Sequence, residues 1–339
     1  MKILIASGIY PPDIGGPAQY ARNLYETWKS QGHEVKVAAY RWERAFPAFL
    51  RHVLYFTKII RKGWNADLVL VLDTWSAAVP TMWACRMMHK KYMIRTGGDF
   101  LWETYIERTG DMVPFKNFYR TSINKLTKKE RTVFVFGGNA LRGASKVIFS
   151  TEWQREIFTD TYELKKEKTC VIENYCEDRL IQIKPENRNF IAATRSLKWK
   201  NTDFLKVAFE EARKEVKRCG FPDIKLDTGK AVYDSFLEKM RRSYCVILAS
   251  IGDISPNMIF DSIRVGVPFI VTKETGIAHR INNAGVIIDP LNKKDIIEKI
   301  VWMADPKNRA LQAEKVSKIE FKHSWREIAG EIVEVWKKL

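Results

Sequence analysis

Short apolar runs alternate with segments of helical periodicity from the start of the chain. The run Ile3–Ala6 is apolar and β-prone, which is typical of a buried parallel strand, and helical spacing of apolar residues follows Pro17. Runs of these two kinds predict strands at 2–6, 34–39, 67–72, 91–95 and 146–150, and helices near 17–30, 46–62, 76–89 and 126–142. Strands that alternate with helices predict a parallel, doubly wound sheet.

A second series of the same kind begins near residue 189. Its strands are "NFIAAT", "IKL", "CVILAS", "PFIVT" and "GVIID", and its helices are 202–217, 231–242, 256–265 and those that follow to the C-terminus. The polar, proline-containing stretch between the two series places the domain boundary near 178–188. The predicted fold class is therefore α/β, with two Rossmann-like, doubly wound domains that face each other across a cleft. Ligands are expected at the carboxyl ends of the strands.

The turn "IYPPDIGGPAQY" joins the first strand to the first helix. Gly15 and Gly16 lie between the strand end and the helix start, and Pro17 suits the first helical position because it has no N–H to satisfy. Bare backbone at such a turn can approach an anion, and the N–H groups of the helix can hold it. A tight strand-to-helix turn without a ligand explains the same two glycines equally well.

A second strand-to-helix turn carries acidic residues. In "ASIGDISPNMIFD" a buried strand runs into a loop with Asp253, and Ser255 followed by proline predicts an N-cap and the start of a helix. Asp261 lies about two turns into that helix. Two carboxylates placed in this way can bind the hydroxyls of a ligand whose phosphate rests on the helix start, and a nucleotide-sugar fits this description.

Two basic residues precede the next helix of the same domain. Arg195 and Lys200 follow its first strand in "AATRSLKWKNTD". Both are expected to point toward the same cleft, with the guanidinium and ammonium charges that a diphosphate needs.

The overall charge agrees with an anionic ligand. The chain carries 57 Lys and Arg against 40 Asp and Glu, a net charge of +17. Nucleic acid is not an expected partner, because the sequence has no RNP-like aromatic strand, zinc finger or arginine-rich arm. The five cysteines show neither a CxxC pair nor the spacing of metal ligands, which predicts reduced thiols, a cytoplasmic location and no metal site.

Two basic segments suggest contact with an anionic membrane. Residues 46–62 predict a helix with one apolar and one basic side: the apolar side holds Phe49, Val53, Phe56 and Ile60, and the basic side holds Arg51, Lys58 and Lys62. Residues 116–131 hold six basic residues against one acidic residue. Such segments can lie on an anionic leaflet, which would place the protein at the inner face of the membrane. A core-facing helix with a solvated basic face is the alternative.

The order and spacing of these motifs resemble retaining glycosyltransferases of the GT-B class, family 4, over essentially the whole chain. The matching features are "YPP" with Gly15 and Gly16, the Arg195 and Lys200 pair, two acids separated by seven residues ahead of "VGVPF", and "HSWREIA" near the C-terminus. The resemblance implies transfer of a sugar from a nucleotide-diphosphate-sugar to an acceptor with retention of configuration. The basic, amphipathic first domain favours a lipid-linked glycan as acceptor, and a soluble glycan or a small molecule is the alternative. The resemblance implies an acceptor-side domain 1–182, a donor domain 183–322, and a last helix 323–339 that packs back onto the first domain.

The resemblance also implies roles for individual residues. The Gly16 backbone would face the distal phosphate, Arg195 and Lys200 would stabilise the leaving diphosphate, Asp253 would hold donor-sugar hydroxyls and Asp261 the ribose. Amides near Asn257 would complete the phosphate cradle, and no cofactor or metal would be needed. The candidate catalytic residues are Asp99, Arg195, Lys200 and Asp253. The candidate donor-binding residues are Gly15, Gly16, Arg195, Lys200, Asp253, Ser255, Asn257, Met258, Ile259 and Asp261.

The sequence departs from the family pattern at three places. Both acids are aspartates where the family usually has glutamates, and in "RTGGDFLWE" Thr96 stands where the family often has histidine. Either Asp99 or Glu103 takes over substrate positioning, or the reaction relies on diphosphate-assisted departure alone. Helix capping is the alternative role for Asp99. The segment that often holds the base looks short after "IKLDTGK". A non-catalytic relative of the same fold is the alternative, and a nicotinamide-dependent oxidoreductase is disfavoured because there is no GxGxxG.

Overall fold

The strands form two separate parallel sheets in the computed structural model, which describes residues 1–13, 15–181, 183–229, 232–281 and 283–339. The chain divides into two compact units. The first comprises Met1–Trp102, Ser122–Tyr175 and His323–Leu339, and the second comprises Glu103–Thr121 and Cys176–Lys322.

The first unit contains a six-stranded sheet with the order β2-β1-β3-β4-β5-β6. Its strands are β1 (Lys2–Ser7), β2 (Glu34–Ala39), β3 (Leu68–Val71), β4 (Met93–Thr96), β5 (Lys146–Phe149) and β6 (Thr169–Val171). Its helices are α1 (Gly16–Ser30), α2 (Ala48–Gly63), α3 (Ala78–Met87), α6 (Lys128–Gly143), α7 (Glu152–Tyr162) and α14 (Trp325–Lys337). Between α3 and α6 lie α4 (Phe100–Thr109), which begins in the first unit and ends in the second, and α5 (Phe115–Thr121) in the second unit.

The C-terminal helix α14 is part of the first unit. It starts at a capping box in which Ser324 and Glu327 satisfy each other's exposed amides. Ile328 and Ile332 are fully buried in the core cluster that contains the inner residues of β1 and α1, and each such side chain contributes about 1.5–3 kcal/mol on burial. The indole of Trp28 donates to the carbonyl of Ala329 at 3.2 Å. The helix thus completes the core of the unit in which the chain begins.

The second unit contains a five-stranded sheet with the order β11-β10-β9-β7-β8. Its strands are β7 (Asn189–Ile191), β8 (Lys225–Asp227), β9 (Cys245–Leu248), β10 (Phe269–Thr272) and β11 (Gly285–Ile288). Its remaining helices are α8 (Thr202–Arg218), α9 (Tyr233–Arg241), α10 (Asn257–Val265), α11 (Ala278–Ile281), α12 (Lys293–Ala304) and α13 (Pro306–Ser317). One core cluster packs α8 and α12 against the sheet and another packs α9 and α10 against it, as in a doubly wound fold.

The predicted fold class is confirmed, because both sheets are parallel and alternate with helices. Every predicted strand is present, and β6, α4, α5, α7 and α11 are additional elements. The expected domain limits stay a prediction: Gln182 lies outside the described residues, and the compact second unit also includes Glu103–Thr121. Ala231, where the helix 231–242 was expected to start, also lies outside the described residues.

Candidate functional site

The centre of the candidate site is an ion pair between Lys200 and Asp253 in the second unit. Lys200 ends a short 3₁₀ turn after β7, and Asp253 follows β9. The side chains are 13% and 11% exposed, so the pair is largely removed from water yet reachable. Removing either partner would leave a charge that is poorly hydrated. Because β7 and β9 are neighbours in the sheet, the pair lies at the carboxyl ends of the strands, where the sequence places a ligand.

Hydrogen bonds hold Asp253 in place from two loops. The Ser250 hydroxyl donates to the Asp253 carboxylate at 3.1 Å. The Asp253 N–H donates to the carbonyl of Glu274 at 2.8 Å, and the Thr275 hydroxyl donates to the Asp253 carbonyl at 2.9 Å. The loop after β9 is thereby fixed to the loop after β10, and the carboxylate that faces Lys200 has a defined position.

Contacts of the neighbouring residues Trp199 and Asn201 also fix the position of Lys200. Its ammonium lies 4.2 Å from the ring centroid of Trp199, which is 5% exposed, and the contact is a cation–π interaction. The turn ends at Asn201, whose φ of 58° is left-handed and whose side-chain amide donates to the carbonyl of Pro290 at 2.7 Å. These contacts fix the direction in which Lys200 leaves the backbone.

Arg195 is not part of this pair. Its side chain is exposed, and no described residue forms an ion pair or a side-chain hydrogen bond with it. The structure therefore brings Lys200 and Asp253 together and leaves Arg195 in solvent. The predicted diphosphate role of Arg195 stays a prediction.

The start of α10 differs from the expectation in detail. The helix begins at Asn257 and Pro256 occupies the N-cap position with extended backbone, so Ser255 is not the capping residue. Pro256 cannot supply a capping side chain. The N–H groups of Asn257 and Met258 have no acceptor among the described residues, whereas those of Ile259 and Phe260 bond to the Pro256 carbonyl. The first turn of α10 thus keeps amides available for an anion.

Asp261 lies one turn further along α10 and accepts a hydrogen bond from the Tyr233 hydroxyl at 2.8 Å. Burial raises the pKa of Asp261 to about 6, and the bond from Tyr233 opposes that rise. Sequence reasoning identified Asp261 but missed Tyr233. The tyrosine occupies one carboxylate oxygen, and the other accepts no hydrogen bond from the described residues.

Residues 103–121 brace the loops that carry Lys200 and Asp253. The Lys198 N–H donates to the Glu107 carboxylate at 2.7 Å, and the Lys198 ammonium donates to the Glu107 carbonyl at 2.8 Å. The Phe115 N–H donates to the carbonyl of Ile251 at 3.3 Å. Sequence reasoning missed this brace, because Glu107 and Lys198 are 91 positions apart and no local pattern connects them.

The glycine turn of the first unit is built for close approach. Gly15 has φ 155° and ψ 158°, a conformation that a side chain would strain, and an added Cβ would lie 3.2 Å from Ile9. Gly16 is the first helical residue, which puts Pro17 second rather than first, and nothing lies within 4 Å of an added Cβ at Gly16. The backbone of Gly16 is therefore open on its side-chain side.

An ion pair that the sequence did not reveal fixes the turn before these glycines. Arg44 donates to both carboxylate oxygens of Asp13, at 2.7 and 2.5 Å, and to the carbonyl of Gly8 at 3.2 Å. The bonds from Arg44 hold the pKa of Asp13 at about 2. The fixed geometry of a bidentate guanidinium explains how an otherwise irregular loop keeps one shape.

Asp99 acts as a helix cap in the structure. It is 3% exposed, and its carboxylate accepts from the Trp102 N–H at 2.9 Å, in the first turn of α4. The neighbouring Gly98 carbonyl accepts from the Thr96 hydroxyl at 2.9 Å and from Gln154 at 3.2 Å. These contacts realise the capping alternative, and a catalytic role for Asp99 stays a prediction.

Among the described residues, no group of three or more His, Cys, Asp and Glu side chains could hold a metal ion. No helix in the described part of the chain is long and apolar enough to cross a membrane.

Solved structures share this arrangement of two sheets over their whole length. Anabaena HepE in complex with UDP and glucose superposes with a TM-score of 0.71 at 15% identity, covering 100% of this chain and 99% of that one. Sucrose-phosphate synthase from Thermosynechococcus elongatus gives 0.70 at 14% identity, covering 99% and 98%. The lipopolysaccharide outer core galactosyltransferase WaaB gives 0.65 at 11% identity, covering 100% of both chains.

The chain has the GT-B fold. Identities of this size show the fold alone, and neither a protein-family model nor a curated protein matches the sequence. The GT-B fold is therefore established, whereas membership of family 4 stays a prediction.

Proposed function

We propose that this GT-B protein is a glycosyltransferase that moves a sugar from a nucleotide-diphosphate-sugar to an acceptor, with retention of configuration. The observation that carries the proposal is the Lys200–Asp253 ion pair beside the open first turn of α10. A cation, a carboxylate and unpaired amides at one sheet edge match a phosphorylated sugar in charge and in hydrogen bonding. HepE was solved with UDP and glucose, and WaaB is a galactosyltransferase, which supports a donor of this class.

Sugar transfer requires the site to stabilise negative charge on the leaving group. When the bond between sugar and diphosphate breaks, charge develops on the leaving phosphate while the sugar becomes oxocarbenium-like. The Lys200 ammonium and the amides of Asn257 and Met258 would stabilise that phosphate electrostatically. Asp253 would accept bonds from sugar hydroxyls. Since Lys200 and Asp253 neutralise each other without donor, donor binding exchanges one set of partners for another.

Asp261 would bind the ribose of the donor. An ionised carboxylate accepts hydrogen bonds from ribose hydroxyls more strongly than a protonated one, and the pKa of about 6 makes Asp261 mainly ionised at pH 7. Tyr233 would orient the carboxylate by occupying one of its oxygens. The predicted roles of Gly15, Gly16 and Asp99 in the first unit remain part of the hypothesis.

The acceptor in this proposal is a glycan or a lipid-linked glycan. The net charge of +17 favours a protein that works at an anionic membrane surface, on its cytoplasmic face. Donor and acceptor would then be brought together at that surface.

A donor panel tests the proposal. Binding of UDP-, GDP- and ADP-sugars is measured for the wild type, Lys200→Ala and Arg195→Ala, with Lys206→Ala as a control because Lys206 pairs only with Asp203 at the exposed start of α8. We expect Lys200→Ala to weaken the preferred donor by about a hundredfold, since a charge-assisted contact to phosphate is lost. Unchanged affinity for every donor in both site variants would refute the diphosphate roles.

Transfer assays then separate an enzyme from a binding protein of the same fold. Sugar transfer or donor hydrolysis above background, with the product's anomeric configuration read by NMR, is the expected result. Donor binding without either reaction would contradict the proposed activity and leave the donor site intact.

A further inference from the structure

Two basic residues of α2, Lys58 and Lys62, point toward the sheet, whereas Arg61 is exposed. The Lys58 ammonium donates to the carbonyl of Ala39 at 3.0 Å, and the Lys62 ammonium donates to the carbonyl of Val37 at 2.6 Å. Both carbonyls belong to β2, an edge strand of the first sheet. An edge strand presents backbone groups that need covering, and the lysines provide that cover. For Lys58 and Lys62 the basic side of α2 therefore covers the sheet edge, while membrane contact and a core-facing helix both stay predictions.

The side of α2 opposite its buried face carries exposed apolar residues. Tyr55 and Ile59 are fully buried, and Tyr55 donates to the Ala38 carbonyl at 2.7 Å. At 3.6 residues per turn, Val53 lies on the opposite side of the helix from Tyr55, with Phe49 one turn before it. Phe49 is 82% exposed and Val53 is 42% exposed.

A continuous stretch of chain adds to this surface, which we call the apolar face. Its members are the large exposed apolar side chains between residues 41 and 64: Trp42, Phe46, Phe49, Leu50, Val53 and Trp64. Single exposed apolar residues are common on proteins, but six large ones within one short segment are typical of a site of interaction. Three aromatic side chains in the short stretch 42–49 are the residue type that favours the boundary between water and lipid.

The charges of segment 41–64 indicate which kind of partner the apolar face binds. Segment 41–64 contains six basic residues and a single acid, Glu43, which is fully buried and paired with Lys58. The segment therefore presents no carboxylate to a partner, while Arg41 and Arg61 are exposed. A second copy of the chain would bring the same positive charge and be repelled, whereas anionic lipid is complementary in both charge and apolar character.

We propose that the apolar face inserts into the headgroup region of an anionic bilayer, with Phe49 and Val53 in the acyl boundary and the flanking arginines at the phosphates. This inference rests on the membrane part of the proposed function and is independent of sugar transfer. It assigns the contact to the outward side of α2 and the turn before it. The lysines Lys58 and Lys62 then serve the sheet edge instead of the lipid.

Vesicle co-sedimentation tests this assignment. The wild type, Phe49→Ser/Val53→Ser and Val207→Ser are incubated with vesicles of phosphatidylglycerol and phosphatidylcholine in equal parts, and with phosphatidylcholine alone. Val207 is a matched control because it is 55% exposed on α8 in the second unit. We expect the double variant to lower the partition coefficient on anionic vesicles by at least about tenfold and Val207→Ser to leave it unchanged. Neutral vesicles should bind the wild type weakly.

Three results would overturn the assignment. They are equal binding of wild type and double variant, equal binding to anionic and neutral vesicles, and a wild-type dimer in solution that the double variant converts to monomer. The last result would make a second copy the occupant. Thermal unfolding checks that the double variant is folded. Donor binding in lipid-free solution is measured on the same samples, so that a failed donor site and a failed lipid surface give different outcomes.

Discussion

The carboxyl edges of the two sheets use their acidic residues differently. In the first unit, the carboxylates of Asp73 and Asp99 accept hydrogen bonds from backbone N–H groups at the starts of helices. In the second unit, Asp253 faces Lys200, and Asp261 faces a single tyrosine hydroxyl. The same fold layout therefore produces one edge whose carboxylates hold the structure and one whose carboxylates remain available to a ligand. The position of an acidic residue at a strand end thus does not by itself identify it as a ligand-binding residue. Its hydrogen-bond partners show whether it is available to a ligand.

The largest effect is expected at Asp73, and it concerns stability alone. The buried carboxylate accepts from the Ser76 hydroxyl and from the N–H groups of Trp75, Ala77 and Ala78. Asp73→Ala leaves these donors without their acceptor and should lower the free energy of unfolding by about 4 kcal/mol, measured by urea titration.

Donor affinity measured under native conditions is the control for Asp73→Ala. It should not change, because Asp73 binds backbone N–H groups of its own unit and is not expected to contact the donor. A stable variant that has lost the donor would show that the first edge binds through Asp73 after all. Gly8 lies against this group of hydrogen bonds: an added Cβ at Gly8 would be 2.6 Å from the Ser76 hydroxyl and 2.8 Å from the Asp73 carboxylate.

At the second edge, Asp261 should give a stability that depends on pH. Its pKa is raised from 3.8 to about 6 by burial, so the folded state binds a proton more tightly than the unfolded state. The contribution is therefore present below pH 3.8 and is lost as the pH rises through 6. The shift of about two pKa units corresponds to about 3 kcal/mol.

Asp261→Asn removes that dependence. Unfolding of wild type and variant is compared at pH 4 and pH 7, and the wild type should lose about 2 kcal/mol relative to the variant between the two values, because part of the full effect is already lost at pH 4. Parallel pH profiles would contradict the raised pKa. Donor binding provides the second measurement: if Asp261 holds the ribose, wild-type affinity rises between pH 5 and pH 7 and the variant's does not.

Asp253→Asn tests whether the ion pair restrains Lys200. Without the acid, Lys200 is free to meet a diphosphate and a nearby negative charge is gone, so UDP should bind about tenfold more tightly by calorimetry. Sugar transfer should fall, because the predicted hydroxyl acceptor is lost. Asp203→Asn is the control, as Asp203 is exposed and pairs with Lys206. UDP binding weakened to the level of Lys200→Ala would show instead that Asp253 positions the lysine.

The sequence predicted the parts of the molecule whose physical causes are local. Apolar runs predicted the buried strands, and the rule that ligands meet the carboxyl ends of parallel strands placed Lys200 and Asp253 together. The helix α7 was missed because it is polar, although Thr151 and Gln154 gave a capping signal that could have found it. The strand β6 was missed because three residues are too few for a pattern.

What the sequence could not predict depends on distant pairs. Asp13 and Arg44 are 31 positions apart, and Glu107 and Lys198 are 91 apart. Neither pair follows a helical or strand period, so only the packed chain reveals them. The capping role of Asp99 was a stated alternative that composition could not decide, since the same carboxylate suits a helix start and a substrate hydroxyl.

The smallest effect is expected at Glu107, which acts on the second edge through Lys198. We expect Glu107→Ala to weaken UDP binding about fivefold, because loss of one hydrogen bond to the turn loosens Lys200 at a cost of about 1 kcal/mol. Glu107→Gln keeps an oxygen acceptor for the Lys198 N–H and should restore most of the affinity. Uridine, which has no diphosphate, should bind all three proteins alike, and Glu215→Ala controls for a surface acid because Glu215 pairs with Arg218. An equal loss for UDP and uridine would mean that Glu107 supports the fold of the unit as a whole and not the position of one cation.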